Sequence, residues 1–262
     1  MNNRLFAFLN NYIGLQNVEA VAIGGSISAE TSDNKSDIDI YVFSKNGIPI
    51  ETRENIIKPI SSRFEIGGEY FGSGDEFILD SLNKQLDVMY WDVEWFENVV
   101  DNTWIKCYPQ NGYTTCFLYT LKNFNIIYDK NNWLHNLQKV INTPYPKELK
   151  ENIIKRNLML MKDKHFASYY EQIEKAMLRN DIVSINHRIS AFVASYFDVI
   201  FALNEQLHPG EKRLIQYAKN NCKILPKNFE ENLLNLLKQP NSATLDILNY
   251  IVDEVKTLIK NL

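Results

Sequence analysis

The chain has 262 residues, 45% of them apolar and 23% charged, which is the balance of a globular protein long enough to bury a sizeable core. A formal net charge of −4 argues against electrostatic capture of nucleic acid. No stretch approaches the roughly 18 apolar residues of a membrane span, the N-terminal apolar run is too short for a signal peptide, and three cysteines without CxxC spacing read as free thiols of a reducing cytoplasm.

In chain order, "VEAVAIGG" is an apolar strand ending in Gly24 and Gly25. "SDIDIYVF" alternates strictly, with Ile38, Ile40 and Val42 on one face and Asp37, Asp39 and Tyr41 on the other. "TRENIIKPI" predicts a short helix, "RFEIGGEYFG" a strand, "KQLDVMYWD" a strand and "VEWFENVV" a helix. In "GGEYFGSGDEF", Glu69 reads equally as a substrate-facing residue and as part of a turn-rich loop. Strands interleaved with short helices predict a small α/β unit. Beyond Asp129 the texture turns helical. "PKELKENIIKRNLMLMKDKHFASYYEQIEKAMLRND" opens on a proline and keeps helical apolar spacing. "DIVSINHRISAFVASYFDVIFALNEQL" follows, with Asp181 as N-cap and Pro209-Gly210 as stop. Three further helical runs end the chain, the last opened by Ser242 or Thr244. The expectation is an α+β protein divided near residues 125–135: a small sheet domain over 1–130 and an all-α bundle over 131–262.

Residues i and i+2 of a strand share a face, so Asp37 and Asp39 project together. Two like charges so close need a counter-charge. A hard divalent cation supplies one, and Mg²⁺ takes one or two carboxylates plus substrate phosphates. Asp87 becomes a third carboxylate if its strand lies beside that of Asp39. Three such acids suit two Mg²⁺ about 3.5–4 Å apart, an arrangement for in-line phosphoryl or nucleotidyl displacement. Asp92 has the opposite parity, and points to the other face or lies past the strand end. Gly24-Gly25-Ser26 supplies the complement, since glycines admit close approach of a ligand, and the N–H groups of a helix start favour phosphate. The four histidines form no HxxxH or HExxH pair, which excludes a zinc reading.

"IGGS", ten residues, then "DIDI" resembles the signature of the nucleotidyltransferase superfamily related to DNA polymerase β. The resemblance implies a mixed-sheet catalytic domain followed by helices. It implies Gly25 and Ser26 on the triphosphate, and Asp37, Asp39 and Asp87 on Mg²⁺. The two-part architecture resembles the aminoglycoside and lincosamide nucleotidyltransferases. "FALNEQLHPGEKRL" resembles the C-terminal segment of the DUF4037 group, which implies Asn204, Lys212 and Arg213 near the triphosphate. The expected activity is Mg²⁺-dependent transfer of a nucleoside monophosphate from an NTP to a hydroxyl of a small-molecule acceptor, antibiotic-like acceptors included. The alternative is a nucleotide-binding sensor or toxin–antitoxin-type module without turnover. The general base stays open among Asp39, Asp87, Glu171 and Asp198. The base of the NTP, the acceptor and the oligomeric state stay open too.

Overall fold

The computed structural model describes residues 2–24, 37–70, 72–164, 167–238 and 240–261. Its contacts form two compact units, one of residues 1–101 with 120–143, the other of 102–119 with 144–262.

The first unit is built on a six-stranded mixed sheet. In chain order its elements are α1 (Asn3–Ile13), β1 (Val18–Ile23), β2 (Ile38–Ser44), α2 (Ile50–Ile57), β3 (Phe64–Gly68), β4 (Gly74–Leu79), β5 (Lys84–Asp92) and α3 (Val93–Val100). The short α4 (Cys116–Lys122) has its last turn here, and β6 (Asn125–Asp129) and α5 (Trp133–Ile141) complete the unit. The spatial order is β3-β4-β5-β2-β1-β6. Among the described strands, β2 and β5 run parallel and the other neighbouring pairs are antiparallel.

Alternation along β2 decides what each face does. Ile38, Ile40 and Val42 join Val21, Ile23, Leu86, Val88 and Phe77 in a core closed by Leu5, Phe8, Leu9 and Tyr12 of α1. That core also holds a polar network. Tyr90 Oη donates to Asp75 Oδ2 at 2.6 Å, Tyr12 and Tyr90 share a hydroxyl bond of 2.7 Å, and the Arg53 guanidinium stacks 3.9 Å over the Tyr90 ring. On the other face, Tyr41 and Phe43 of β2 meet Trp91, Phe96, Phe124 and Trp133 in edge-on and tilted ring contacts.

Side-chain hydrogen bonds mark the starts of α3 and α5. Asp92, past the face of Asp87 as expected, accepts from Trp95 N–H and opens α3. Asp129 accepts from the N–H groups of Leu134 and His135 at the start of α5.

The elements that lie wholly in the second unit are α6 (Lys147–Met161), α7 (Tyr169–Leu178), α8 (Ile182–Leu203), α9 (Leu214–Asn221), α10 (Phe229–Leu237) and α11 (Thr244–Lys260). The 22-residue α8 is central, with Phe192, Tyr196, Phe197, Ile200 and Phe201 buried among α7, α9, α10 and α11. Asp181 caps α8 by accepting from Ser184 N–H, as the sequence predicts.

Four readings of the sequence need correction. The run from Pro146 to Asp181 is two helices, because the chain turns extended at Lys162 and Ser168 recaps α7. "GDEFIL", inside the expected loop, is strand β4. The N-terminal apolar run and residues 125–129 form α1 and β6, neither of which was assigned. The last helix starts at Thr244 with no side-chain cap, and Thr244 Oγ1 instead accepts from Asn241 N–H. Among the described residues, no helix is long and apolar enough to cross a membrane.

Candidate functional site

β1 ends at Ile23, and the next N–H, that of Gly24, donates to the Asp39 carbonyl at 2.9 Å. Gly24 is thereby fixed to the strand that carries the acid. On the far side of β2, parallel β5 places Asp87 in register with Asp39. Residues in register on adjacent strands lie about 4.8 Å apart and share a face. The condition set for Asp87 by the sequence is therefore met. Asp37 stands just before the first residue of β2 and is exposed.

The row of acids does not stop at Asp87. β4 pairs Glu76 with Asp87, and β3 pairs Glu65 with Glu76. One face of the sheet thus carries Asp39, Asp87, Glu76 and Glu65 on four successive strands. Gln85 Nε2 donates to Asp87 Oδ1 at 3.0 Å. The Glu76 carboxyl is raised above the usual glutamate range, first by the charge of Asp87, then by partial burial, Glu65 and Asp37. Tyr41, two residues after Asp39 on the same face, has its phenol pushed up by burial and then by Asp39 and Asp87. Sequence reasoning missed Glu76. The signal was there, since Asp75, Phe77 and Leu79 alternate with Gly74, Glu76 and Ile78, but the neighbouring glycines made the segment read as a loop.

The Asp39–Asp87 pair accounts for two of the predicted site residues; Gly24 and Asp37 sit beside it. Gly25 and Ser26, with the spacer up to Ser36, lie outside the described residues. Among the described residues no three carboxylate, imidazole or thiolate groups close into a metal cage. Lys212 and Arg213 belong to the second unit and are exposed just before α9, with Arg213 in the left-handed region at φ 55°. Asn204 has a different role from the one expected. Its Nδ2 donates to the Ile200 and Ile224 carbonyls, and its Oδ1 accepts from Ile224 N–H, so its amide is spent on stapling the end of α8 to the chain after α9. Asp198 is likewise enclosed. It accepts from Thr114 N–H, Thr114 Oγ1 and Asn157 Nδ2, and burial pushes its carboxyl up to about 6. A carboxylate so engaged is a tether for Thr114 and leaves the list of candidate bases. Two surface concavities, one along α10 and one around Glu19, Lys45, Lys130 and Trp133, do not include the acid row.

Comparison with the curated proteins gave no match. Among solved structures, a nucleotidyltransferase-like protein from Exiguobacterium sibiricum is similar at 8% identity, over 98% of this chain and 74% of that one, with a TM-score of 0.49. The spectinomycin adenyltransferase AAD(9) from Enterococcus faecialis, solved with ATP and spectinomycin, is similar at 16% identity, over 97% of both chains, with a TM-score of 0.30. The STING-associated CdnE c-di-GMP synthase from Capnocytophaga granulosa is similar at 17% identity, over 98% of this chain and 78% of that one, with a TM-score of 0.28. At these identities, and with TM-scores below 0.5, the likenesses do not by themselves assign a reaction. One match lies in the sequence itself, where the string "FALNEQLHPGEKRL" pointed: residues 113–214, from the segment tethered by Asp198 to the first residue of α9, match the family described as Domain of unknown function (DUF4037).

Proposed function

We propose that the chain is a nucleotidyltransferase, moving a nucleoside monophosphate from an NTP to a hydroxyl of a small-molecule acceptor. The observation that carries this reading is the register of Asp39 against Asp87, beside Gly24, whose N–H is bonded to the Asp39 carbonyl. Carboxylates in adjacent strand positions repel, and a fold keeps them together at a cost that a bound cation offsets.

The donor set fits Mg²⁺. Asp37, Asp39 and Asp87 offer only hard oxygens, and Mg²⁺ takes one or two carboxylates and leaves its other positions to phosphates and water, so no closed protein cage is required. When bound, the divalent ions polarise the phosphoryl oxygens and neutralise charge on the departing pyrophosphate.

The chain's own groups do the rest. Gly24, Gly25 and Ser26 are assigned to the triphosphate, with backbone N–H groups as its donors. Lys212 and Arg213 are assigned to the phosphate charge by the chemistry of their side chains. The acceptor oxygen attacks the α-phosphorus, the bond from that phosphorus to the bridging α–β oxygen breaks, and pyrophosphate leaves. The acceptor proton passes to a carboxylate among Asp39, Asp87 and Glu171.

The test is pyrophosphate release from each of the four NTPs with Mg²⁺ and a panel of hydroxylated acceptors. Release abolished by Asp39→Asn and by Asp87→Asn is expected. Metal-dependent release that survives both substitutions refutes the proposal. NTP binding without release under every acceptor assigns the chain to the nucleotide-sensing class instead.

A further inference from the structure

Gly24 has little room above it. A Cβ built on it would lie 2.6 Å from Tyr41 Cε2, 3.2 Å from Tyr41 Cδ2 and 3.4 Å from Phe124 Cε1. Contacts under 3.0 Å force something to move, and a flexible side-chain tip moves easily. The Tyr41 ring is not such a tip. Trp91 packs edge-on against it at 4.7 Å and 69°, and Phe124 at 4.8 Å and 61°. Trp91 is itself held by Phe96 at 5.1 Å and Trp95 at 5.3 Å. Cores packed to this density resist added volume.

The ring also sits at a junction of the sheet. Tyr41 pairs with Ala22 on β1 and with Met89 on β5. Its own strand presents Asp39 two residues earlier, and the Gly24 N–H is bonded to that residue's carbonyl. One residue thus packs its ring on Gly24 and shares a strand and a face with Asp39.

We infer that Tyr41 is a positioning residue for this site: its ring, wedged between Gly24 and the aromatic floor, fixes Gly24 relative to Asp39 and Asp87. The inference rests on the nucleotidyl-transfer reading for what the site binds, and on the contacts above for the wedge. Gly24 is then required because the ring occupies the space of a side chain.

The experiment is a double-substitution cycle with Gly24→Ala, Tyr41→Ala and the pair, together with Tyr41→Phe. Affinity is read by calorimetry with Mg²⁺ and the four α,β-methylene NTPs, and thermal stability is read in parallel without nucleotide. Gly24→Ala is expected to weaken binding roughly tenfold or more, by overpacking against a held ring. Tyr41→Phe keeps the ring and keeps the affinity. In the pair, removal of the ring relieves the clash, so the loss from Gly24→Ala is smaller in the Tyr41→Ala background than in the wild type, for both stability and affinity. Additive effects of the two substitutions, or a Tyr41→Phe variant as weak as Tyr41→Ala, overturn the wedge. A wild-type chain that binds none of the four probes overturns the nucleotide reading and Tyr41's part in it, whatever the stability cycle shows.

Discussion

Replacing Glu76 by glutamine removes one charge from the acid row without changing the strand. Glu76 stands in register with Asp87 on one side and Glu65 on the other, so it faces two like charges. Like charges directly opposite in a sheet cost about 0.2–1 kcal/mol per pair. Glu76 is exposed, and salt screens exposed charges over about 8 Å at physiological ionic strength, which favours the low end of that range. Two screened pairs therefore sum to about 0.5–1 kcal/mol, a rise in Tm of about 1–4 °C for Glu76→Gln in a protein of this size. The pH dependence has a definite sign. The folded carboxyl of Glu76 is raised above its ordinary value of 4.5, so its contribution to stability is present below that value and lost as pH rises through the folded one. The advantage of glutamine is expected at pH 7 and absent near pH 3.5. It is expected to narrow in about 1 M salt, where the screening length falls to about 3 Å. Scanning calorimetry of the two proteins at both pH values and both salt concentrations checks it. A destabilised variant, or a gain indifferent to pH and salt, would refute the reasoning that the acids repel across the strands.

Two buried groups of the helical unit give opposite pH signatures. Burial raises the Asp198 carboxyl from 3.8 to about 6 against the hydrogen bonds of Thr114 and Asn157, so about 3 kcal/mol of its contribution is lost as pH rises across that window. Burial lowers His208 from 6.5 to about 4, so a comparable amount is lost as pH falls through that range. Denaturation of Asp198→Asn and His208→Phe against wild type from pH 4 to 7 should give stability differences that slope in opposite directions; a flat difference for either removes the burial argument at that residue. Asn204→Ala removes the side-chain partner of the Ile224 carbonyl and N–H, at about 1–3 kcal/mol, and is expected to leave the KM for nucleotide unchanged. A raised KM at unchanged stability would return Asn204 to the phosphate site.

What the sequence made legible was local. Period two in "SDIDIYVF" set the faces of β2, and Asp181 announced the start of α8 through its cap. "KQLDVMYWD" read as a strand because its apolar residues alternate, and Asp92 fell out of the row by parity, becoming the cap of α3. What stayed hidden depended on partners distant in sequence. β4 was lost because Gly72 and Gly74 flank a short alternating run whose hairpin mates only become visible in three dimensions. Arg53, Asp75, Tyr90 and Tyr12 come from α2, β4, β5 and α1, and no spacing relates them before folding. The role of Asn204 was misread for the same reason, since its partner Ile224 is twenty residues on.

The alignment of Asp39 with Asp87 shows where that limit lies. Sliding β5 by one residue against β2 would set Asp39 beside Leu86 or Val88 and turn Asp87 into the apolar core, so alternation alone forbids it. Sliding by two keeps every parity and sets Asp39 beside Gln85 or Met89, and nothing in either strand's own sequence forbids that. The choice is made elsewhere. On the core side, Leu86, Val88 and Tyr90 must meet Ile38, Ile40 and Val42 in turn, and Phe77 and Asp75 of β4 must meet Leu86 and Val88. The Tyr90 hydroxyl reaches both Asp75 and Tyr12 only in that alignment, since a two-residue slip moves it by about 7 Å along the strand. The buried network on one face thus fixes the register that brings the carboxylates together on the other. It follows that a residue such as Tyr90, on the face away from the acids, determines how far apart they stand.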